Sequence, residues 1–155
     1  MPANEANDEA LAATCMQVQA TCGCEGIRRS ARTITQRYEQ ALAPSGLRAT
    51  QLPILVALGW AGAVPLTRLA EALSIDRTTL TRNLAGLQER GFVQVADAED
   101  GRVHLVTLTG DGRRVLAEAL AGWRSAQDEV EERFGKERLA HLLGELSELM
   151  AAVRA

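Results

Sequence analysis

Three cysteines fall within ten residues, Cys15, Cys22 and Cys24, in the pattern C-x6-C-x-C, and none follows in the remaining 131 residues. Thiolates are nucleophiles and soft-metal ligands, so the cluster has three readings. The thiols hold a soft ion such as Cu(I), Zn(II) or a trivalent metalloid. Alternatively, one is oxidised to sulfenic acid and trapped by a neighbouring thiol. In the third reading they are small hydrophobes of a packed core. Leu11, Cys15, Val18 and Cys22, at i, i+4, i+7 and i+11, would indeed share one face of a short helix. The compartment matters to this choice. Met1 to Asp8 carries Glu5 and Asp8 but no basic residue, so it does not read as a secretory signal. No apolar run reaches the roughly 20 residues that span a bilayer. These features predict a cytoplasmic protein with reduced thiols and no membrane partner.

A second chemistry is carried by arginine and threonine. Net charge over the 155 residues is −3, which argues against a nucleic-acid partner until it is divided along the chain. Glu25 to Arg114 holds 12 arginines against 9 acids, whereas Glu118 to Glu148 holds 8 acids against Arg124, Arg133, Lys136 and Arg138. A basic middle between acidic ends sets a local field, and local fields steer partners. Lys136 is the single lysine. Arginine presents the planar fork that fits phosphate and guanine, although richness in Arg and Ala equally fits genome composition. The low aromatic content, 3%, excludes a stacking platform of the RNA-binding kind. No Cys-x-x-Cys, phosphate loop or nucleophile elbow is present, so an enzyme is not expected. His104 and His141 form no metal-ligand run, and His141 with Glu145 reads as a surface i, i+4 pair. Trp60 and Trp123 read as core or interface residues.

The elements that position these residues follow from periodicity. Ile27, Ala31, Ile34, Tyr38 and Leu42 mark a long helix with Arg28, Arg29, Arg32 and Arg37 on its other side, ending near Pro44-Ser45-Gly46. A second helix is expected from Thr50 with Pro53 in its first turn, burying Leu52, Leu55, Val56 and Gly59, with a break from Gly59 to Pro65. A short helix, Leu66 to Leu73, and a tight turn at Ser74-Ile75 come next. Asp76 is a good cap for a helix from Arg77 to Arg90, closed by Gly91. Leu80, Leu84 and Leu87 form its inner face, and Arg77, Thr78, Thr81 and Arg82 its outer one. The pattern then alternates through Val93 and Val95, turns at Asp100-Gly101, and alternates again through Val103, Leu105 and Thr107, which predicts a two-stranded hairpin. Thr109 caps a helix from Asp111 to Arg133. Gly135 separates it from a last helix, Lys136 to Val153, whose leucine stripe needs a partner.

A short helix, a tight turn, a second helix with a polar start and then a hairpin is the order of a winged helix-turn-helix, in a mainly α fold with a small β-hairpin wing. In that geometry Arg77, Thr78, Thr79, Thr81 and Arg82 reach base edges and phosphates in a major groove. The hairpin tip, Asp97 to Arg102, lies over the adjacent minor groove with Arg102 inserted. Arg68, Arg48 and Ser74 are further phosphate-contact candidates. The bland alternatives are a solvated Arg77, an Arg82 ion-paired to Asp76 or Glu89, and a Thr79 that only caps.

Here the sequence resembles the multiple antibiotic resistance regulator (MarR) family. The resemblance is carried by Leu69-Ala70-Glu71-Ala72-Leu73, Thr79-Leu80-Thr81-Arg82 and Leu87-Gln88-Glu89-Arg90-Gly91-Phe92-Val93. The wing adds Asp100-Gly101-Arg102, then Val106-Thr107-Leu108-Thr109 and Gly112. It extends from about Ile27 to the C-terminus. It implies six helices and a wing, and a homodimer built from the first helix and the last two. It further implies regulation of a pseudo-palindromic double-stranded operator, usually as a repressor, often with a small-molecule inducer. The family pattern also pairs the wing arginine with an acid such as Asp100. On this basis residues 1–21 are an N-terminal arm or short helix and 22–155 the domain, with dimerisation helices 24–43 and 111–153 and a DNA-binding lobe 50–108. Cys24 to Tyr38 is similar to the first helix of the organic-hydroperoxide-sensing branch, in which the reactive Cys precedes a Tyr by fourteen residues. That branch orients its thiol with tyrosine hydroxyls, and Tyr38 is the only tyrosine here. An adjacent thiol pair equally suits a soft ion, so Cys15, Cys22 and Cys24 stand as a redox or metal sensing cluster. The alternative is a regulator that answers a small organic ligand and keeps its cysteines for structure.

Overall fold

The computed structural model describes residues 2–97 and 104–153. Its elements, in order, are α1 (Pro2–Thr21), α2 (Gly23–Leu42), a 3-10 turn (Ala43–Ser45), α3 (Leu52–Ala61), β1 (Val64–Pro65), α4 (Leu66–Leu73), α5 (Arg77–Glu89), β2 (Val93–Asp97), β3 (His104–Leu108), α6 (Gly110–Phe134) and α7 (Lys136–Ala152). The chain forms two compact units that divide between Arg37 and Tyr38. The described residues hold seven α-helices and not six, because the amino-terminal arm is a helix of 20 residues. None of the described helices is long and apolar enough to cross a membrane.

In the first unit, Leu11, Met16, Val18, Ile27 and Ile34 are all exposed. Arg32 reaches back to Glu25 at 2.9 Å on the polar side of α2.

The second unit holds the core. Leu42, Ile54, Leu55, Leu58, Leu69, Leu80, Leu84, Leu87, Val93, Val106, Leu108, Val115, Leu116 and Ala119 form one buried cluster, with Trp123 packed against it. Each fully buried Leu or Ile side chain contributes about 1.5–3 kcal/mol of transfer free energy. Local chemistry sets the element ends. Thr109 Oγ1 accepts from the Gly112 amide (2.9 Å) and its hydroxyl donates to the Gly91 carbonyl (2.7 Å), which caps α6 and ties it to the end of α5. Gly135, at φ 99°, takes a backbone conformation that other residues resist, and α6 stops there.

Four local expectations are corrected. First, α3 begins at Leu52 and not Thr50, continues through Ala61, and buries Ile54 and Leu58 beside Leu52 and Leu55, while Val56 is 43% exposed. This helix is apolar on all sides, so its sequence has no polar face to define the buried one. Second, the sheet has three strands in the order β1-β3-β2, all antiparallel. The added strand β1 lies in the predicted break. Third, Val106 and Leu108 are the inward residues of β3, in place of the Leu105 and Thr107 set. They pair with Val95 and Val93, and cross-strand partners share a face. Fourth, of the core and interface readings of the tryptophans, Trp123 takes the core one, whereas Trp60 is 91% exposed in this chain and keeps only the interface reading.

At Gly122 α6 approaches the end of α2 closely, since a Cβ there would collide with the Ala41 carbonyl. Gly122→Ala is therefore expected to destabilise the fold by about 1–3 kcal/mol. Urea unfolding checks this, and an unchanged midpoint would refute the close approach.

Candidate nucleic-acid interface

The turn before α5 is closed by left-handed Ser74 (φ 55°), whose amide caps α4. Asp76 then caps α5. Its Oδ1 accepts from the Thr79 amide at 2.8 Å and its Oδ2 from the Thr79 hydroxyl at 2.7 Å. These bonds, the hydroxyl first, hold the Asp76 carboxyl below its ordinary pKa. Thr79 is thus occupied as a cap partner. The Thr81 hydroxyl donates to the Arg77 carbonyl at 2.8 Å, leaving its methyl and an oxygen lone pair outward.

On the inner side, Leu80, Leu84 and Leu87 are buried to 0–2% exposure. That seam fixes the roll of the helix and turns the other face to solvent. Arg77, Thr78, Thr81, Arg82 and Ala85 together line one shallow surface depression. Arg77 and Arg82 are both exposed and make no ion pair among the described residues. The expected competing pairs, Arg82 with Asp76 or Glu89, are not formed, and the Asp76 carboxylate is engaged by Thr79. Arg68, on α4, makes an exposed i, i+3 pair with Glu71 at 3.3 Å. A pair of that kind is weak enough to exchange for a phosphate. Arg48 is exposed as well.

One contributor was not singled out from sequence. Asn83 Nδ2 donates to the Thr79 carbonyl (3.0 Å) while its Oδ1 accepts from the Thr50 hydroxyl (3.3 Å), so it ties α5 to the entry of α3. A polar residue between two leucine positions was its only sequence signal. The described part of the hairpin ends on the Asp97–His104 pair. Asp100 and Arg102 lie outside the described residues.

All three cysteines are free. Cys15 and Cys24 are exposed and Cys22 is half-buried. The packed-core reading therefore fails for Cys15 and Cys24 within this chain. Cys22 sits between α1 and α2, yet helical bonding spans the junction. The Cys22 amide donates to Val18 at 2.9 Å and the Gly26 amide to the Cys22 carbonyl at 3.0 Å. On such a path Cys15 and Cys22 are two turns apart, about 10 Å, beyond disulfide reach. Cys22 and Cys24, at i and i+2, point to opposite sides. No group of three His, Cys, Asp or Glu side chains is placed to hold a metal among the described residues. The Tyr38 hydroxyl donates to Gln127 Oε1 at 2.5 Å, and Gln127 Nε2 donates to Glu131 at 2.9 Å. Burial, then the Glu131 charge, raises the Tyr38 pKa. His141 and Glu145 form the expected exposed pair at 3.7 Å.

Residues 45–103 match the model of the MarR family. The chain is 30% identical over 119 residues to the HTH-type transcriptional regulator YwoH of Bacillus subtilis strain 168, covering 75% of this chain and 87% of YwoH. The transcriptional regulator MosR of M. tuberculosis, solved in complex with DNA, superposes with a TM-score of 0.77 at 35% identity, covering 87% of this chain and 100% of that one. A MarR mutant from E. coli in complex with operator DNA gives 0.76 at 21% identity over 85% of this chain and 96% of its own, a likeness of fold.

The Asp76 cap makes a pH prediction. Its carboxyl is lowered on folding, so the cap's contribution is complete above the ordinary carboxylate pKa and is lost as pH falls through the lowered value. The Thr79 amide resonance should titrate with a midpoint below the usual aspartate value and lose that transition in Asp76→Ala. A midpoint at the usual value would contradict the bond pattern.

Proposed function

Because this chain belongs to the MarR family of winged-helix transcription regulators, we propose that it binds a pseudo-palindromic DNA operator as a homodimer and acts as a repressor released by a thiol-directed signal. Such proteins are regulators rather than enzymes. The observation that carries the DNA reading is the outward face of α5, where Arg77, Thr78, Thr81 and Arg82 stand exposed on a helix whose roll is locked by leucine. In this reading α5 enters the major groove, Thr79 holds its first turn, and Arg68 meets phosphate. Arg102 enters the minor groove, positioned by Asp100. Residues 50–108 are the DNA-binding lobe.

The dimer would use residues 24–43 and 111–153. Ile27 and Ile34 on α2, and Leu142, Leu143, Leu149 and Met150 on α7, are exposed in a single chain, and a second copy is the cover that suits them. A dimer presents its two α5 helices to successive major grooves, about 34–36 Å apart. A signal that favours another spacing releases the operator.

The cysteines supply the signal in this proposal. In the oxidant version a thiolate attacks the peroxide O–O bond, gaining the hydroxyl as sulfenic acid while the other oxygen leaves as water or an alcohol. A second thiol then displaces water to form a disulfide. Joining Cys24 to Cys22 or Cys15 within one chain requires the α1–α2 junction to leave its helical path, which gives the bond mechanical leverage. In the metal version, the same unwinding or a second chain's thiols completes the ligand set.

Gel-shift titrations test the DNA reading. Arg82→Ala should cost about 1–3 kcal/mol on operator and relax sequence preference. Arg102→Ala should weaken all DNA and lower the salt slope by about one. Unchanged operator affinity in both variants would remove the winged-helix interface.

The signal is tested separately. Peroxide should release wild-type protein without metal and be reversed by a thiol reductant. A soft metal or metalloid should instead release it anaerobically and appear bound in mass spectra. If Cys15→Ser, Cys22→Ser and Cys24→Ser each retain the wild-type response to all such agents, the cysteines are structural and a small organic inducer takes their place.

A further inference from the structure

We propose that Arg90 is a positioning residue for DNA recognition, a guanidinium bolt that sets the angle of α5 against the exit of α2 without itself touching DNA. This rests on the reading of α5 as the DNA-reading helix. Arg90 is the C-terminal cap residue of α5. Its Nη1 donates to the Gly46 carbonyl at 2.7 Å, across 44 positions of sequence. The guanidinium carbon lies 4.5 Å from the centroid of the Phe92 ring. The exposed side chain is therefore held at its tip and along its plane, a use that suits a flat, permanently charged fork.

Both contacts join parts that must move together. Gly46 follows the 3-10 turn that ends α2, and its amide closes that turn on Ala43 at 3.0 Å. It is left-handed at φ 69°, and a Cβ there would come within 2.8 Å of Arg90 Nη2. Glycine thus suits the left-handed turn, and a larger residue would push the guanidinium aside. Phe92 opens the wing. Its amide donates to the Leu87 carbonyl at 2.9 Å, and its carbonyl accepts from the Thr109 amide at 3.1 Å. A Cβ on Gly112 of α6 would collide with that same Phe92 carbonyl. The exit of α2, the end of α5, the root of the wing and the start of α6 therefore meet around Arg90-Gly91-Phe92. A displacement of either expected dimerisation helix reaches the DNA-reading helix and the wing through this joint.

Sequence-specific binding needs the helix angle, whereas non-specific binding is mainly charge. Arg90→Ala and Arg90→Lys should each lose about tenfold in operator affinity, the worth of one charged hydrogen bond. They should lose little on random DNA and keep the wild-type salt slope. A purely structural residue would move the denaturation midpoint without changing the ratio of specific to non-specific affinity in the folded dimer. If Arg90→Ala does not fold, Arg90→Lys decides, since it keeps the charge and lacks the planar fork. A salt slope lowered by about one in Arg90→Ala and restored in Arg90→Lys would make Arg90 a phosphate contact and overturn the proposal. Wild-type operator affinity in both Arg90 variants beside a weakened Arg82→Ala overturns the positioning role alone. Wild-type binding by Arg82→Ala overturns the reading of α5, and the proposal with it.

Discussion

The burial of Leu80, Leu84 and Leu87 is the constraint on which the rest depends. These side chains repeat at helical spacing on one side of α5 and belong to the same buried cluster as Ile54, Leu55, Leu58, Leu69 and Val106. A helix so buried has one roll angle. Arg77, Thr78, Thr81 and Arg82 face outward because the leucines face inward, and Asp76 starts the helix at the register that makes this true. The polar groups of the surface are held by packing beneath them, a more rigid support than any bond among themselves.

The sequence was legible where periodicity and cap chemistry agree. Asp76 with Thr79, Thr109 with Gly112, the Ser74 turn and the three leucines of α5 all stand where their types predict. It was opaque where a pattern had no contrast. The uniformly apolar α3 hid its buried face, and only α6, β3 and α4 around it decide between Ile54 and Val56. Two residues, Val64 and Pro65, are too short a run to show a strand period, and Pro65 argues against a strand although an edge position tolerates it. The phase of β3 depended on register with β2, which no local signal encodes. Arg90 reads as an ordinary charged residue near a helix end, because its partner Gly46 lies 44 positions away.

The cysteine cluster shows a different kind of opacity. Spacing alone suggests three thiols ready for one another. The helical path separates them, with Cys15 and Cys24 open to solvent and Cys22 at the junction. Tyr38, whose place suggested a thiol-orienting hydroxyl, commits that hydroxyl to Gln127. Chemistry that joins these thiols within one chain would therefore work against the helix, and that opposition would turn a local bond into a change of chain path.

The near absence of lysine has a consequence for how such a surface is controlled. Lys136 is the only lysine, and it begins α7 at 3.9 Å from Glu131 and is not among the residues that line the depression of Arg77 and Arg82. Acetyl transfer neutralises amines and leaves guanidinium untouched, and a guanidinium keeps its proton throughout the biological pH range. The positive face of α5 thus offers no lysine amine to acylation. In the proposed reading, control of its occupancy then falls to shape, through the spacing and angle of the helices that carry it.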